Sequence, residues 1–356
     1  MKTHTFRGSP SDVGKAQGSM SPQAALDYLN RLQARSSYDF QNPYFRNNLA
    51  FMRREFPDLI QQIQAFGEAA GMESLEHAYH NHLHWTGPVQ HACSTLGVLL
   101  EADGPAMLST NDGHMNTAPN TVENTVFSTF PDAKPHPLMG LGSQTHVVLG
   151  WAMNDSGLTI GANSGHRRFN STTNPEHLNL YFVVHLIAQH CSNCDDVRHF
   201  VDQYRISGQK GMNIVAIDAA GNMLGVELES QNIAVCEAQD GLLLEVNHWQ
   251  HPKLRNPSRA ANPEWWTGDY YYNSQARVMY LAHYRNIFTR MKTLEELIDF
   301  SFDVHAPGRI LQMLDRNIGN MVSCQIVFAT VKDRRARVYL HPIDKEDYEE
   351  FHGNLR

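Results

Sequence analysis

The chain changes character at one stretch, Cys93-Ser94-Thr95-Leu96-Gly97-Val98-Leu99-Leu100-Glu101. A small polar start that leads into an apolar run is typical of a strand entering a buried sheet. The thiol of Cys93 then lies at the mouth of that strand. Residues before the stretch follow helical spacings, and residues after it form short strand-like runs. The stretch therefore separates two kinds of structure and also offers a nucleophile.

Composition limits the class of protein. The 356 residues include 42% hydrophobic side chains, enough to bury one large core or two ordinary ones. The 37 acidic residues outnumber the 29 basic residues, and the net charge is -8. A chain of this charge has no basic field that would capture nucleic acid or an anionic membrane surface. We expect a small-molecule substrate, with no nucleic-acid or membrane partner.

The N-terminus and the cysteines indicate the compartment. The first residues contain no apolar signal core, and no run of about 18 apolar residues occurs in the sequence. Five cysteines are an odd number, which argues against a disulfide framework and for reduced thiols. We therefore predict a cytoplasmic protein. The cysteines are Cys93, Cys191, Cys194, Cys236 and Cys324.

The first 92 residues are predicted to be mostly helical. Apolar residues recur there at spacings of three and four, which is the spacing of one face of a helix. The predicted helix ends near Gly71, and Pro57 either kinks it or begins part of it. The apolar positions are Leu49, Met52, Phe56, Leu59, Ile60, Ile63 and Phe66.

From Thr95 onward, short β-rich runs are interrupted by two pairs of helices. Turn signals at residues 154–157 and 219–222 join neighbouring runs into hairpins. Segregated runs of this kind favour two antiparallel sheets with a helical layer outside each, so we predict an α+β, four-layer αββα sandwich. The predicted strands are 96–100, 106–110, 146–153, 158–162, 214–218, 223–228, 242–246 and 325–331. The predicted helices are 178–189 with Asn174 as N-cap, a shorter one capped by 192–195, 274–290 and 293–302.

Cleavage of the Ala92–Cys93 bond would give the thiol a base. The freed α-amine of Cys93 titrates near 7.7–8.0, and it lies beside its own thiol. A nucleophile needs such a base within hydrogen-bond reach, and a new N-terminus supplies it without a histidine. The same thiol is able to attack the Ala92 carbonyl and form a thioester that water opens. The sequence thus predicts an enzyme that processes itself.

Several motifs occur in a fixed order along nearly the whole chain. Together they resemble the acyl-coenzyme A:6-aminopenicillanic acid acyltransferase family of N-terminal nucleophile (Ntn) hydrolases. The resemblance implies residues 1–92 as a helical prosegment and residues 93–356 as the Ntn-hydrolase domain. The motifs are residues 6–18, the Cys93-Ser94-Thr95 start, Asn111-Asp112, residues 154–158 with Asn163, residues 213–218 with Gly221, Val246-Asn247-His248-Trp249 and Asn273-Ser274-Gln275-Ala276-Arg277.

The resemblance also implies a role for each candidate site residue. Cys93 is the nucleophile, and Asp112 orients its α-amine. Asn163 and Asn247 donate hydrogen bonds to the oxyanion, as side-chain amides fixed at strand ends can. Arg277 lies near the nucleophile and lowers the pKa of the thiol.

Each of these roles has a structural alternative. Asp112 is alternatively a turn residue, Asn163 and Asn247 are alternatively asparagines that end strands, and Arg277 is alternatively part of a surface salt bridge. Ala92 stands where the family usually has glycine, which leaves open whether the chain cuts itself. Ser109 stands where the bile-salt branch has an arginine, so no role of that arginine transfers.

Other clusters suggest different chemistry. Five histidines before Cys93 offer nitrogen ligands for a metallohydrolase, but no H-E-x-x-H signature accompanies them. Residues 265–272 are rich in aromatic side chains that either wall a ligand pocket or pack on a sheet edge. Glu227 and Glu229 share a strand face, which we interpret as solvated or as part of a structural ion pair. The histidines are His77, His80, His82, His84 and His91.

The sequence therefore predicts an autoproteolytically activated cysteine amidohydrolase or acyltransferase that cuts a linear amide through an acyl-thioester. Its expected partner is a small-molecule amide or acyl donor, and the cleaved prosegment is expected to stay associated. No cofactor and no metal are expected. The alternative from another class is an uncleaved, non-catalytic binding homologue with a pocket under residues 265–272.

Overall fold

The fold was analysed in a computed structural model of the full chain. The structure describes residues 2–35, 43–83, 92–114, 124–131, 135–165, 174–207, 211–229, 232–255, 269–303, 310–311 and 321–353.

Fourteen of the described strands form two large sheets. The first sheet has eight strands in the order β1-β4-β5-β6-β7-β10-β11-β12, all antiparallel except the parallel pair β1 and β4. Its strands are β1 (Lys2–Gly8), β4 (Asn124–Pro131), β5 (Leu138–Ser143), β6 (Leu149–Asn154), β7 (Thr159–Gly165), β10 (Gly211–Ile217), β11 (Met223–Glu229) and β12 (Asn232–Glu237).

The second sheet has six strands in the order β13-β2-β3-β14-β15-β16 and is antiparallel throughout. Its strands are β2 (Ala92–Leu100), β3 (Gly104–His114), β13 (Leu242–Glu245), β14 (Met321–Thr330), β15 (Arg335–Leu340) and β16 (Glu349–His352). A separate short parallel pair joins β8 (Leu178–Asn179) to β9 (Ile206–Ser207).

Helices cover the outer face of each sheet. Five precede β2, two lie between β8 and β9, and two lie between β13 and β14. The helices are α1 (Pro10–Gly18), α2 (Pro22–Arg35), α3 (Pro43–Glu55), α4 (Pro57–Ala70), α5 (Leu75–Leu83), α6 (Val183–His190), α7 (Cys194–Gln203), α8 (Asp269–Phe288) and α9 (Leu294–Asp303).

Three apolar cores separate the four layers. Residues such as Ile214 and Val226 of the eight-stranded sheet pack against α1 to α7. Met107 and Val215 belong to the core between the two sheets. Leu96 and Phe328 of the six-stranded sheet pack against α8 and α9. The predicted four-layer αββα sandwich is confirmed, because each sheet buries both of its faces.

The N-terminal segment is built into this sandwich. Its first strand, β1, which was not predicted, extends the eight-stranded sheet by pairing with β4. Its helices share one continuous apolar core with α6, α7 and the sheet. Residues 2–83 therefore bury surface that residues 93–356 would otherwise expose. The division into a prosegment and a domain remains a prediction.

The helix boundaries predicted at Pro57 and near Gly71 are confirmed, whereas the helix start predicted at Asn174 is wrong. Pro57 begins a separate helix, because α3 ends at Glu55, and α4 ends before Gly71, which adopts a left-handed φ of 81°. The helix predicted from Asn174 begins only at Val183. The Asn174 side chain instead accepts a hydrogen bond from the Glu176 N–H at 2.9 Å, which closes a local turn.

No helix among the described residues has the length and apolar character that crossing a membrane requires.

Three histidines buried in the helical core should make the fold sensitive to acid. Burial lowers the pKa of His82 to about 3, of His146 to about 4 and of His185 to about 3. The unfolded chain takes up these protons below a pH of about 6.5 while the folded chain does not. The free energy of unfolding should therefore fall as the pH drops from about 6.5 towards 4, by up to about 1.4 kcal/mol per pH unit for each histidine.

The variant His185→Leu tests this expectation by urea unfolding across that pH range. Neither ring nitrogen of His185 has a hydrogen-bond partner in the described part of the chain, so leucine removes a titrating group without breaking a hydrogen bond seen there. In this variant the free energy of unfolding should fall less steeply with decreasing pH than in the wild-type protein. The exposed His199 provides the control His199→Gln, which should leave the profile unchanged. An unaltered slope in His185→Leu would contradict the assignment.

Candidate active site

Cys93 lies at the start of β2, between two neighbouring strands. In the register with β3, Cys93 faces Asn111 and Ala92 faces Asp112. On its other side β2 pairs with β13, and the loop that follows β13 carries Asn247. Cys93 is buried, with 3% of its surface exposed. The register thus brings residues far apart in the chain to one thiol.

Asn247 holds the main chain at Cys93. Its Oδ1 atom accepts a hydrogen bond from the Cys93 N–H at 2.9 Å, and its Nδ2 atom donates to the Ser164 carbonyl at 2.8 Å. Its own N–H donates to the Ser274 hydroxyl at 3.1 Å. Asn247 therefore links β2 and β7 of different sheets, and its side chain is fixed at both ends.

Arg277 is a fully buried cation beside the thiol. Its Nη1 atom donates to the Cys93 carbonyl and, at 2.6 Å, to the Ser94 hydroxyl. Its Nη2 atom donates to Asn247 Oδ1 at 2.7 Å, and its Nε atom donates to Asn273 Oδ1 at 3.0 Å. The surface salt bridge considered for Arg277 is wrong, because the side chain has no exposed surface.

Asp112 is a buried carboxylate within β3, not a turn residue. The Ser323 hydroxyl donates to its Oδ1 atom at 2.6 Å, and the Thr110 hydroxyl donates to its Oδ2 atom at 3.2 Å. Burial raises the pKa of Asp112 to about 7, although Arg277 and the two hydroxyls favour the charged form. Asp112 is thus poised to change charge near neutral pH.

The thiol of Cys93 is held in its protonated form. Burial raises its pKa to about 12, and the negative charge of Asp112 adds to the effect. Hydrogen bonds from the backbone N–H groups of Asp112 and Ser164, and the charge of Arg277, act in the opposite direction. A thiol in this state needs a base at hand before it can attack.

Asn163 does not contact Cys93. Its Oδ1 atom accepts from the Thr95 hydroxyl at 3.0 Å, and its Nδ2 atom donates to the Glu245 carbonyl at 2.9 Å. It therefore lies further along β2, where it joins the two sheets. The structure brings Cys93, Asp112, Asn247 and Arg277 together and leaves Asn163 beside Thr95.

Sequence reasoning missed the serines around the site. Ser323 donates to Asp112, Ser274 supports Asn247, and the main chain of Ser164 contacts both Asn247 and the thiol. Ser274 falls inside a quoted motif, which gave a signal that was not used. Ser323 had none, because a lone serine in an apolar strand has no characteristic pattern.

The described histidines are not arranged as metal ligands. His82 uses both ring nitrogens, with Nδ1 at 2.6 Å from the Ala78 carbonyl and Nε2 accepting from the Val147 N–H at 3.0 Å. His77 Nδ1 lies 3.0 Å from the Ser74 hydroxyl. The predicted ligands His84 and His91 lie outside the described residues.

Two further predictions concern residues outside the site. The aromatic wall at 265–272 falls partly outside the described residues, and the side chains of 269–272 are not described. The solvated strand face predicted at Glu227 and Glu229 is wrong, because the two residues are only 0% and 3% exposed. Burial on both faces of this sheet overrides the alternating pattern.

A family model described as "Acyl-coenzyme A:6-aminopenicillanic acid acyl-transferase" matches residues 99–341. The matched span contains Asp112, Asn163, Asn247 and Arg277, and it begins after Cys93. A search of curated proteins gave no significant match.

Solved structures with a similar arrangement include a variant of conjugated bile acid hydrolase from Clostridium perfringens. It has 11% sequence identity and a TM-score of 0.50, and the match covers 73% of this chain and 93% of that chain. At this identity the likeness concerns the fold alone.

Two others are penicillin V acylase from Agrobacterium tumefaciens and an N-acylethanolamine-hydrolyzing acid amidase ortholog from Caenorhabditis elegans. The first has 10% identity and a TM-score of 0.46, over 73% of this chain and 86% of that chain. The second has 9% identity and a TM-score of 0.45, over 67% of this chain and 93% of that chain.

Replacing Arg277 should destabilise the protein strongly. The variant Arg277→Met would leave the acceptors around the guanidinium without their donor, which should cost about 3 kcal/mol of unfolding free energy. Arg277→Lys keeps the charge but not the fork of donors, so it should recover only part of the loss. Urea unfolding measures both variants.

The matched control is Arg285→Lys on the same helix. Arg285 keeps 32% of its side chain exposed and pairs with Asp240 at 2.9 Å, so this change should alter stability by less than about 0.5 kcal/mol. An equal effect of lysine at positions 277 and 285 would show that burial of the guanidinium is not what matters.

Proposed function

Because this chain belongs to the acyl-coenzyme A:6-aminopenicillanic acid acyl-transferase family, we propose that it is an Ntn amidohydrolase or acyltransferase with Cys93 as nucleophile. Its substrate is a small, linear N-acyl or amino-acyl amide, and the enzyme cuts the amide C–N bond. The observation that carries the proposal is the hydrogen bond from the Cys93 N–H to Asn247 Oδ1 at 2.9 Å. That contact already holds the nitrogen that would become the catalytic base.

Self-cleavage is the first proposed step. The Cys93 sulfur attacks the Ala92 carbonyl carbon, the peptide C–N bond breaks, and the thiol proton goes to the departing nitrogen. Water then opens the thioester, which leaves a carboxylate on Ala92 and restores the thiol. Arg277 contacts the Cys93 carbonyl throughout and keeps this part of the main chain in place.

Catalysis repeats the same chemistry on an external amide. The α-amine of Cys93 takes the thiol proton as sulfur attacks the substrate carbonyl, and then gives it to the leaving amine. Asp112 lies across the hairpin as the carboxylate that favours the ammonium form. Water or a second amine resolves the acyl-thioester, which decides between hydrolysis and acyl transfer.

The two asparagines take different parts in this proposal. Asn247 contacts Cys93 directly, so we assign it to orient the α-amine and to line the place where the oxyanion forms. Asn163 accepts a hydrogen bond from Thr95, two residues along β2 from Cys93, so we assign it to support this end of β2 rather than to bind the oxyanion. The backbone N–H of Ser164 lies close to the sulfur and is a further candidate donor.

The segment 1–92 is expected to stay bound after cleavage. It supplies β1 to the eight-stranded sheet and shares the helical core with α6 and α7. Losing it would expose a large apolar surface, which is unfavourable by about 25 cal/mol for each Å². We also propose a cytoplasmic location, since none of the five cysteines forms a disulfide.

Intact mass spectrometry tests the nucleophile and the self-cleavage together. The wild-type protein should separate under denaturing conditions into residues 1–92 and 93–356, and the larger piece should gain one acyl group from an activated ester. Cys93→Ala should stay whole and take up no label. The control Cys324→Ala removes another buried thiol and should behave as wild type. Acyl labelling that survives in Cys93→Ala would refute the assignment.

The pH dependence of amide hydrolysis tests Asp112. If the charged form of Asp112 is required, kcat/KM should fall as the pH drops through about 7, the pKa that burial gives this carboxyl. Ser323→Ala removes a hydrogen bond that favours the charge, so this midpoint should rise by up to about one pH unit. Ser323→Thr retains a hydroxyl and should keep the wild-type midpoint. Identical midpoints in Ser323→Ala and wild type would argue against the role of Asp112.

A further inference from the structure

Two buried carboxyl groups meet behind the candidate active site. Glu227 lies on β11 and Glu245 on β13, so the pair joins the two sheets, and the residues are only 0% and 1% exposed. A carboxyl oxygen of each and the sulfur of Cys236 lie within 4.8 Å of one another. Gly225 leaves room for the group, because a Cβ there would lie 2.6 Å from Glu245 Oε1.

Among the described residues, no positively charged side chain forms an ion pair that would offset the negative charge of these carboxyl groups. Neither carboxyl forms an ion pair among the described residues. Among the described residues, the titratable groups on the neighbouring elements include Glu229 on β11, Cys236 and Glu237 on β12, and His248, His251 and Lys253 after β13. The ammonium group of Lys253 donates a hydrogen bond to the Ile233 carbonyl. Two like charges this close in a buried space cannot both be stable, so at least one carboxyl carries a proton.

The hydrogen bonds indicate which carboxyl is charged. Glu227 accepts from the backbone N–H groups of Gln250 at 2.5 Å and His251 at 3.1 Å. Among the described residues, Glu245 accepts a long hydrogen bond of 3.4 Å from the Gln250 amide and a contact from Cys236. Backbone donors stabilise a carboxylate, so Glu227 is the anion and Glu245 the acid.

These contacts fix the loop that carries Asn247. Gln250 is bound at both its N–H and its side chain, since Nε2 also donates to the Leu244 carbonyl at 2.7 Å. Residues 246–251 are thereby folded back onto β13 and tied to Glu227 of β11. Asn247 lies within this loop, so the position of its Oδ1 atom depends on the same contacts.

We propose that Glu227 and Glu245 share one proton and act as positioning residues that hold Asn247 against the nitrogen of Cys93. The effect on catalysis rests on the proposed function, whereas the presence of the shared proton does not. Loss of the proton at alkaline pH places two negative charges between the sheets. Their repulsion acts on the loop, so Asn247 moves and catalysis falls while Cys93 remains intact.

Infrared spectroscopy tests the shared proton without any activity measurement. At neutral pH the wild-type protein should show the carbonyl band of buried protonated carboxyl groups, and Glu245→Gln should show a weaker band, because the contribution of Glu245 is gone while that of Asp112, whose pKa is about 7, remains. Glutamine matches the protonated acid in shape and in neutrality. The control Glu229→Gln changes another buried glutamate on β11 and should retain the band. A band unchanged in Glu245→Gln would overturn the proposal.

Unfolding by urea across pH gives a second readout that does not need activity. The raised pKa of Glu245 means that its contribution to stability is present at low pH and lost as the pH rises through the folded value. Glu245→Gln should therefore lose less stability than wild type as the pH rises from about 4.5, the ordinary value of a glutamate, towards the raised folded value. An equal loss in both proteins would count against the pair.

Kinetics then connect the pair to the site. The alkaline decline of kcat/KM should move upward by about one pH unit or more in Glu245→Gln, and Glu229→Gln should keep the wild-type profile. Glu227→Gln presents an amide to two backbone donors and should lower kcat/KM at every pH. If no variant has activity, the proposed function has failed while the infrared result still stands. A stoichiometric metal ion that is lost in Glu245→Gln would overturn the shared proton in favour of a metal centre.

Discussion

The site depends on one interaction, the burial of the Arg277 guanidinium against the start of β2. A fully buried cation is costly unless its donors are satisfied, and here they reach Cys93, Ser94, Asn247 and Asn273. Through these hydrogen bonds the cation joins α8 and the loop after β13 to the start of β2. It also opposes the effect of burial on the pKa of Cys93 and Asp112. The guanidinium of Arg277 therefore contributes both to the stability of this part of the fold and to the protonation of the site residues.

Most of the sandwich could be predicted because local sequence patterns identify its strands. Runs such as 223–228 and 325–331 are mostly apolar, lie next to turn residues and are buried on both faces. The strand β1 could not be predicted, since its partner β4 lies far along the chain and a parallel pair needs no turn between its strands. The false helix start at Asn174 has a local cause, because its side chain closes a turn instead of a helix.

The candidate site was predicted unevenly for physical reasons. Cys93, Asp112, Asn247 and Arg277 occur in motifs with a fixed order. The sheet register brings the first three together near strand ends, and Arg277 reaches them from the interior of α8. Asn163 follows the same pattern, yet its amide is used to join the sheets. The assisting hydroxyl of Ser323 and the carboxyl pair of Glu227 and Glu245 depend on contacts between distant strands. No spacing in the sequence encodes such contacts.

The place of β1 in the eight-stranded sheet affects how the protein folds before and after the proposed cleavage. While the chain is continuous, β1 and the five helices that follow find their places by an intramolecular search. If the bond before Cys93 is cut as proposed, the same contacts would join two separate polypeptides, and refolding would become a bimolecular reaction that depends on concentration. The mature protein would then be assembled only once, and its persistence would be set by how slowly it opens rather than by a folding equilibrium.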